Sequence, residues 1–297
     1  MAELKKRGMS ENVSYGILIA FCILVMLVIA YPLYYVLVAS FSDPYHVYGG
    51  KTFLFPSGFS LKGYEAVFQE PKILSGLLNS VKYTTIGTLY AVTMVFLVAY
   101  PLSKKDLPFR RLLSLFFVVT MYFGGGLIPT YLVVQKTGLI GNIWALFLPG
   151  AVGVGNVILV RNFFENSIPL ELSEAAEIDG ASQLRVFLQI VMPLSRSILA
   201  VMAVFSMVAY WNDWFTPMIY LKRTQASLPL VLRDILTASS ITASQSSMIS
   251  GGYAELNKIS ESIKFASIVI AATPMLIAYP FVQKYFEQGF LAGSVKG

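Results

Sequence analysis

Glu174-Ala175-Ala176-Glu177-Ile178-Asp179-Gly180-Ala181, followed by Phe187, Ile190 and Pro193, stands between two apolar stretches at about 142–164 and 197–220. Each stretch is near the roughly 20 residues that an α-helix needs to cross about 30 Å of hydrocarbon. A charged helix with a glycine break cannot lie in that hydrocarbon. The segment therefore emerges on one membrane face, shaped to meet a partner there.

The rest of the chain agrees with this setting. Apolar residues make up 56% of the 297, charged residues only 13%, and mean hydropathy is +0.67, which is too apolar for an ordinary soluble domain. Apolar stretches at about 14–40, 78–102, 112–135, 142–164, 197–220 and 265–283 predict an all-α bundle of six transmembrane helices, forming a single domain over 1–297. Strand alternation suited to an outer-membrane barrel is absent. The first stretch follows Lys5-Lys6-Arg7 and carries no charge from Asn12 to Ser42, longer than a signal-peptide core, so it reads as a retained anchor.

The net charge of +6 does not indicate nucleic acid, because Lys and Arg are scattered at segment ends rather than gathered on one surface. They fit topology better. The short loop Lys104-Lys105-Asp106-Leu107-Pro108-Phe109-Arg110-Arg111 and the basic N-terminus place both chain ends and residues 165–196 on the cytoplasmic side. Residues 41–77 and 221–264 then form two polar outer loops. Cys22, alone in an apolar helix, can form no intrachain disulfide.

Within the cytoplasmic block, Pro169 suits a first helical turn, and Glu171 and Glu174 put negative charge at its positive end. The helix is expected to run through Asp179 and to leave at Gly180, which tolerates positive φ. Ala175 and Ala176 add little bulk, so another protein can approach closely, with Glu174 and Glu177 at the rim. A second helix, Leu184 to Val191, offers Phe187 and Ile190 at i, i+3 spacing before Pro193 ends or kinks it. The plain alternative is a solvated amphipathic connector.

The full spacing narrows the choice. Glu-Ala-Ala, three residues, Gly, nine residues, Ile, two residues, Pro resembles the cytoplasmic EAA motif of ABC importer permeases, met by Glu174, Ala175, Ala176, Gly180, Ile190 and Pro193. Met192 stands where a leucine is usual. Asp179, Ala181 and Phe187, with the six-helix layout and the end Tyr279-Pro280-Phe281-Val282-Gln283-Lys284-Tyr285-Phe286, Gly289, Gly293 and Lys296-Gly297, resemble the carbohydrate branch, in particular the maltose-type second permease subunit. The resemblance covers essentially the whole chain.

That resemblance implies a multi-pass protein of the bacterial plasma (inner) membrane that imports an oligosaccharide, including the uronate-containing, alginate-type class. It implies four kinds of partner: a homologous second permease, a cytoplasmic ATPase dimer carrying ATP and Mg, an extracytoplasmic solute-binding protein, and the cargo. The motif helix would dock in a cleft of the ATPase, so that closure of the ATPase dimer moves the membrane helices. In maltose-type importers the membrane sugar site lies mainly on the other permease.

A path for cargo is suggested by Tyr210-Trp211-Asn212-Asp213-Trp214-Phe215-Thr216-Pro217 in the fifth stretch, where aromatic faces stand beside hydrogen-bonding groups. The same residues also suit a plain interfacial belt, with Asp213 snorkelling to water. Gly124-Gly125-Gly126 and the run Gly150 to Gly155 suit either unwound backbone around a cavity or close helix packing. The Ser- and Thr-rich stretch Ser239 to Ser247 is a candidate binding-protein surface or a linker.

Nothing points to catalysis or to a cofactor held by this chain. His46 is the single histidine, read as an exposed loop residue, and no G-x-S-x-G elbow occurs. Gly50-Lys51-Thr52 imitates the end of a phosphate-binding loop, but Tyr45 replaces its first glycine. A transporter driven by an ion gradient would need buried acids, and only Asp213 approaches that description. A scaffold would explain the docking helix but not the glycine breaks.

Overall fold

The computed structural model describes residues 9–69, 71–246, 262–277 and 280, and among these it is helical with one isolated β-bridge, Ser42 to Phe59. The basic N-terminus and the chain end after Pro280 lie outside the described residues. Two compact units are present, Met1–Glu70 with Ile235–Ala272 and Pro71–Asp234 with Thr273–Gly297.

The first unit is led by α1, Met9–Ser40, of which Ser14–Ser40 is long and apolar enough to cross a membrane and is exposed along most of its length, with Val38, Ala39 and Ser40 buried at its end. Cys22 is exposed on it. The stretch expected to be a loop then folds into α2, Pro44–Tyr48, and α3, Lys62–Gln69. Asp43 caps α2 by accepting from the Tyr45 N–H at 2.9 Å. His46 is therefore helical and half-buried, with Nδ1 at 2.9 Å from the Ser57 carbonyl, rather than an exposed loop residue. Gly50 leads into irregular chain, not into a helix, so the loop-like Gly-Lys-Thr lacks the setting of a phosphate loop.

In the second unit, α4, Lys72–Ser103, is the other continuous helix able to cross a membrane. The next two expected spans are broken. Arg110–Tyr122 (α5) and Leu127–Lys136 (α6) meet at 114°, because Gly124-Gly125-Gly126 intervene and Gly126 takes a φ of +83°. The stretch 142–164 opens with a 3-10 turn, Ile143–Leu146, and becomes helical as α7 only from Val154 to Ser167, after Pro149, Gly150 and Gly153. The remaining helices are α8, Leu170–Ile178; α9, Gln183–Leu194; α10, Arg196–Asn212; α11, Phe215–Tyr220; α12, Leu228–Ser246; and α13, Ser262–Ile277. Ser239 to Ser246 thus belong to a helix rather than a loop. By length and composition, the described residues contain two membrane-crossing helices, or four if each bent pair counts as one.

Helix α4 organises this unit, packing most extensively on α10 and then on α7. Val95, Phe96, Ala99 and Leu102 of α4 recur at helical spacing and close a core with Val157, Val160 and Phe164 of α7, Val186, Phe187 and Val191 of α9, and Ile198 and Met202 of α10. Gly87 permits the approach of α10, because a Cβ there would stand 2.8 Å from the Tyr210 ring.

Candidate coupling site and transport path

Helix α8 begins after Pro169, whose extended backbone (ψ 130°) precedes the first turn, and Glu171 lies in that turn. Its exit is a complete Schellman closure. The N–H of Gly180 donates to the Glu177 carbonyl at 3.0 Å and that of Ala181 to the Ala176 carbonyl at 2.9 Å, with Gly180 at φ +81°. Helix α8 ends at Ile178, with Asp179 as its cap rather than its last helical residue.

The two alanines divide the labour. Ala176, with buried Ser173, faces the core, whereas Ala175 is exposed together with Leu170, Leu172, Glu174, Ile178 and Asp179. Ile178 is 87% exposed, which is costly for a large aliphatic side chain unless something covers it. Glu177 is not a rim group for a partner alone. Its Oε1 lies 3.5 Å from Lys104 Nζ and accepts from Gln183 Nε2 at 2.7 Å.

After Gly180, Ser182 caps α9 by accepting from the Arg185 N–H. Phe187 is buried and Ile190 packs beside it on the same core, which anchors α9 from within. Pro193 neither ends nor sharply kinks this helix. Phe187–Val191 is π-helical, with the Met192 N–H donating to the Phe187 carbonyl five residues back, so the widened turn absorbs a proline that cannot donate. The sharp bend falls later, at Ser195, where α9 and α10 meet at 82°.

A second feature lies along α10. Tyr210 and Asp213 line a cavity of about 260 Å³ together with Gly150, Gly153, Asn156 and Ser206, so two segments separated in sequence, the glycine run and the aromatic run, come together. Trp211 and Asn212 do not line it: Trp211 is buried, and Asn212 donates from Nδ2 to the Val208 carbonyl of its own helix at 2.9 Å. Asp213 Oδ1 accepts from the N–H groups of Phe215 and Thr216 at 3.1 and 3.0 Å, which starts α11 and splits the expected span 197–220. Its carboxylate is thus a helix cap, a different task from ion relay. Trp214 lies under Arg233, whose Cζ is 4.3 Å from the ring centroid.

No family model matches the chain. The polygalacturonan/rhamnogalacturonan transport system permease protein YtcP of Bacillus subtilis is 40% identical over 294 residues, covering 98% of this chain and 100% of that protein. The chain belongs to the permease subunits of ABC carbohydrate importers. The permease is also 27% identical over 289 residues to the maltodextrin transport system permease protein MdxG of the same organism, covering 93% and 94% of the two chains. Among solved structures it is similar to a chain of a bacterial ABC transporter involved in the import of the acidic polysaccharide alginate, with a TM-score of 0.82, 27% identity and coverage of 95% and 99%.

Sequence reasoning about this permease overlooked a charge cluster. Glu165 on α7 pairs with Arg110 at the start of α5 and with Arg161 Nε at 2.8 Å, while Arg110 Nε donates to the Leu102 carbonyl of α4 at 2.9 Å and Arg161 Nη1 to Ser114 Oγ at 3.0 Å. The i, i+4 spacing of Arg161 and Glu165 was the signal available.

Proposed function

We propose that the permease crosses the bacterial plasma membrane six times as one transmembrane domain, with both termini and residues 165–196 in the cytoplasm. The broken elements α5 with α6 and 143–167, and α10 with α11, would each count as one crossing, beside α1, α4 and α13. Helix α8 would dock in a cytoplasmic ATPase dimer that holds ATP and Mg, leaving this subunit without catalysis of its own. A homologous second permease would complete the pathway, and an extracytoplasmic solute-binding protein would deliver cargo.

The observation that carries this reading is the exposed face of α8, where Leu170, Leu172, Ala175 and Ile178 surround Glu174 on a helix whose other side is fixed in the core. A helix held from within and apolar without is built to receive a load. Co-purification of the co-expressed ATPase with the permease tests it: the wild-type chain retains the ATPase and Glu174→Lys loses it. Undiminished association in Glu174→Lys would sink the docking role.

The cargo we propose is a uronate-containing oligosaccharide. Support comes from relatives named for polygalacturonan/rhamnogalacturonan and for alginate, which are acidic polymers. The cavity beside Tyr210 and Asp213, a candidate stretch of the path, is lined by no Lys or Arg among the described residues. Selection for acidic cargo would then fall on the binding protein and the second permease. Uptake by the assembled importer is expected to favour oligogalacturonate over neutral maltodextrin, and equal uptake of the two would overturn the acidic assignment.

A further inference from the structure

Tyr100, Lys104, Glu177 and Gln183 meet where α4 ends and where α8 turns into α9. Gln183 donates through Nε2 to Oε1 of Glu177 at 2.7 Å and accepts at Oε1 from the Tyr100 hydroxyl at 3.0 Å. A carboxylate can only accept, so the amide must present its nitrogen to Glu177 and its oxygen to Tyr100, and the arrangement has one sense. Lys104 Nζ closes the ring of side chains, 3.5 Å from Glu177 Oε1 and 5.3 Å from the Tyr100 ring centroid. Behind them Tyr100 packs on Phe187 with centroids 4.8 Å apart.

Chain continuity ties α9 to α10 through Ser195, whereas α8 and the end of α4 are separated along the chain by α5, α6 and α7. We propose that Tyr100, Gln183, Glu177 and Lys104 form a latch through which α8, α9 and the end of α4 move as one body when the ATPase loads α8. The proposal rests on the reading of α8 as the ATPase dock. Glu177 and Gln183 act here as positioning residues inside the chain, while Glu174 on the exposed side remains for the partner. The Lys104–Glu177 pair is weak alone, because Glu177 is 41% exposed, and the tie gains from the relay in which Tyr100 donates to Gln183 and Gln183 to Glu177. Since α4 also carries α7 and α10, the latch adds a polar tie at the end of α4 to the apolar core that α9 already shares with these helices, and spreads the load over the whole unit.

Spin labels at Leu97→Cys and Leu188→Cys, in a Cys22→Ser background, report the distance between α4 and α9 in the assembled importer, both nucleotide-free and trapped with ADP and vanadate. The latched chain is expected to give one narrow distance that is the same in both states. Gln183→Leu, which removes both amide bonds, is expected to raise the unlatched, longer-distance population about tenfold, and Tyr100→Phe, which keeps the ring packing, less. Reversal of either charge alone, Lys104→Glu or Glu177→Lys, should broaden the distance, and the double reversal should restore it. A wild-type distribution in Gln183→Leu, a wild-type distance that changes between the two states, or loss of the ATPase from Gln183→Leu would each overturn the latch. Retention of the ATPase by Glu174→Lys would instead undo the docking reading, with the label distances still reporting on the latch.

Discussion

Gly180→Val in the assembled importer is expected to lower carbohydrate uptake at least about tenfold and to release the ATPase in the same measure. A Cβ at position 180 would meet nothing within 4 Å, so the penalty is conformational and not steric crowding. Holding an ordinary residue at φ +81° costs about 1–2 kcal/mol, more for a β-branched one, which corresponds to about tenfold or more in the population with the native turn. Relaxing that strain would break the Gly180 and Ala181 hydrogen bonds that close α8 and would swing Ser182 and α9 away from their seats. Gly180→Asn, which visits the left-handed region readily, should retain most of the uptake. Uptake and ATPase co-purification measured across Val, Ala and Asn variants check the order, and a Val variant that equals Asn would refute the conformational account.

Glu165→Ala should lower the thermal unfolding midpoint of the detergent-solubilised importer more than removal of any exposed carboxylate of α8. Arg110 and Arg161 converge on one Glu165 oxygen, and all three side chains are roughly three-quarters buried, at 25%, 24% and 27% exposure. Without the carboxylate two guanidinium groups face each other across the α5–α7 contact, at a cost of about 1–3 kcal/mol, between the values for surface and fully buried pairs. That corresponds to a fall of about 2–5 °C for a chain of this size. The double variant Arg110→Ala with Glu165→Ala should lose less than the sum of the single losses, because each single change strands a charge. Additive losses would show that the cluster does not couple α5 to α7.

Helicity and the bounds of α8 were legible in the sequence because each rests on local chemistry: Pro169 before a helix, Gly180 after it, and long apolar runs around them. The breaks were less legible. Gly124 to Gly126 and Gly150 to Gly153 announce freedom of the backbone without fixing its direction, so the 114° bend between α5 and α6 depends on what surrounds it. Pro193 misled for a related reason, since the helix widens its preceding turn rather than stopping. Asp213 reads as an expensive intramembrane acid until its two N–H donors are seen, and Gln183 is an unremarkable polar letter until Tyr100 and Glu177 are found on either side of it. Partners this distant in sequence leave no local pattern. The glycine run and the aromatic run each stand out in the sequence, but only the fold brings them to one cavity.

The 82° elbow at Ser195 has a mechanical meaning for a helix set in a bilayer. If the ATPase loads α8 as proposed, a thrust directed along α9 would arrive almost broadside on α10 and would tip or slide that helix sideways instead of driving it like a piston. Piston travel would drag polar ends into the acyl region and expose apolar turns to water, at a cost of fractions of a kcal/mol for each ångström of mismatch. Lateral travel leaves the depth of every residue nearly unchanged. On that reading the membrane would offer little resistance to the stroke, and most of the work delivered by the ATPase would remain for opening and closing the gap between subunits.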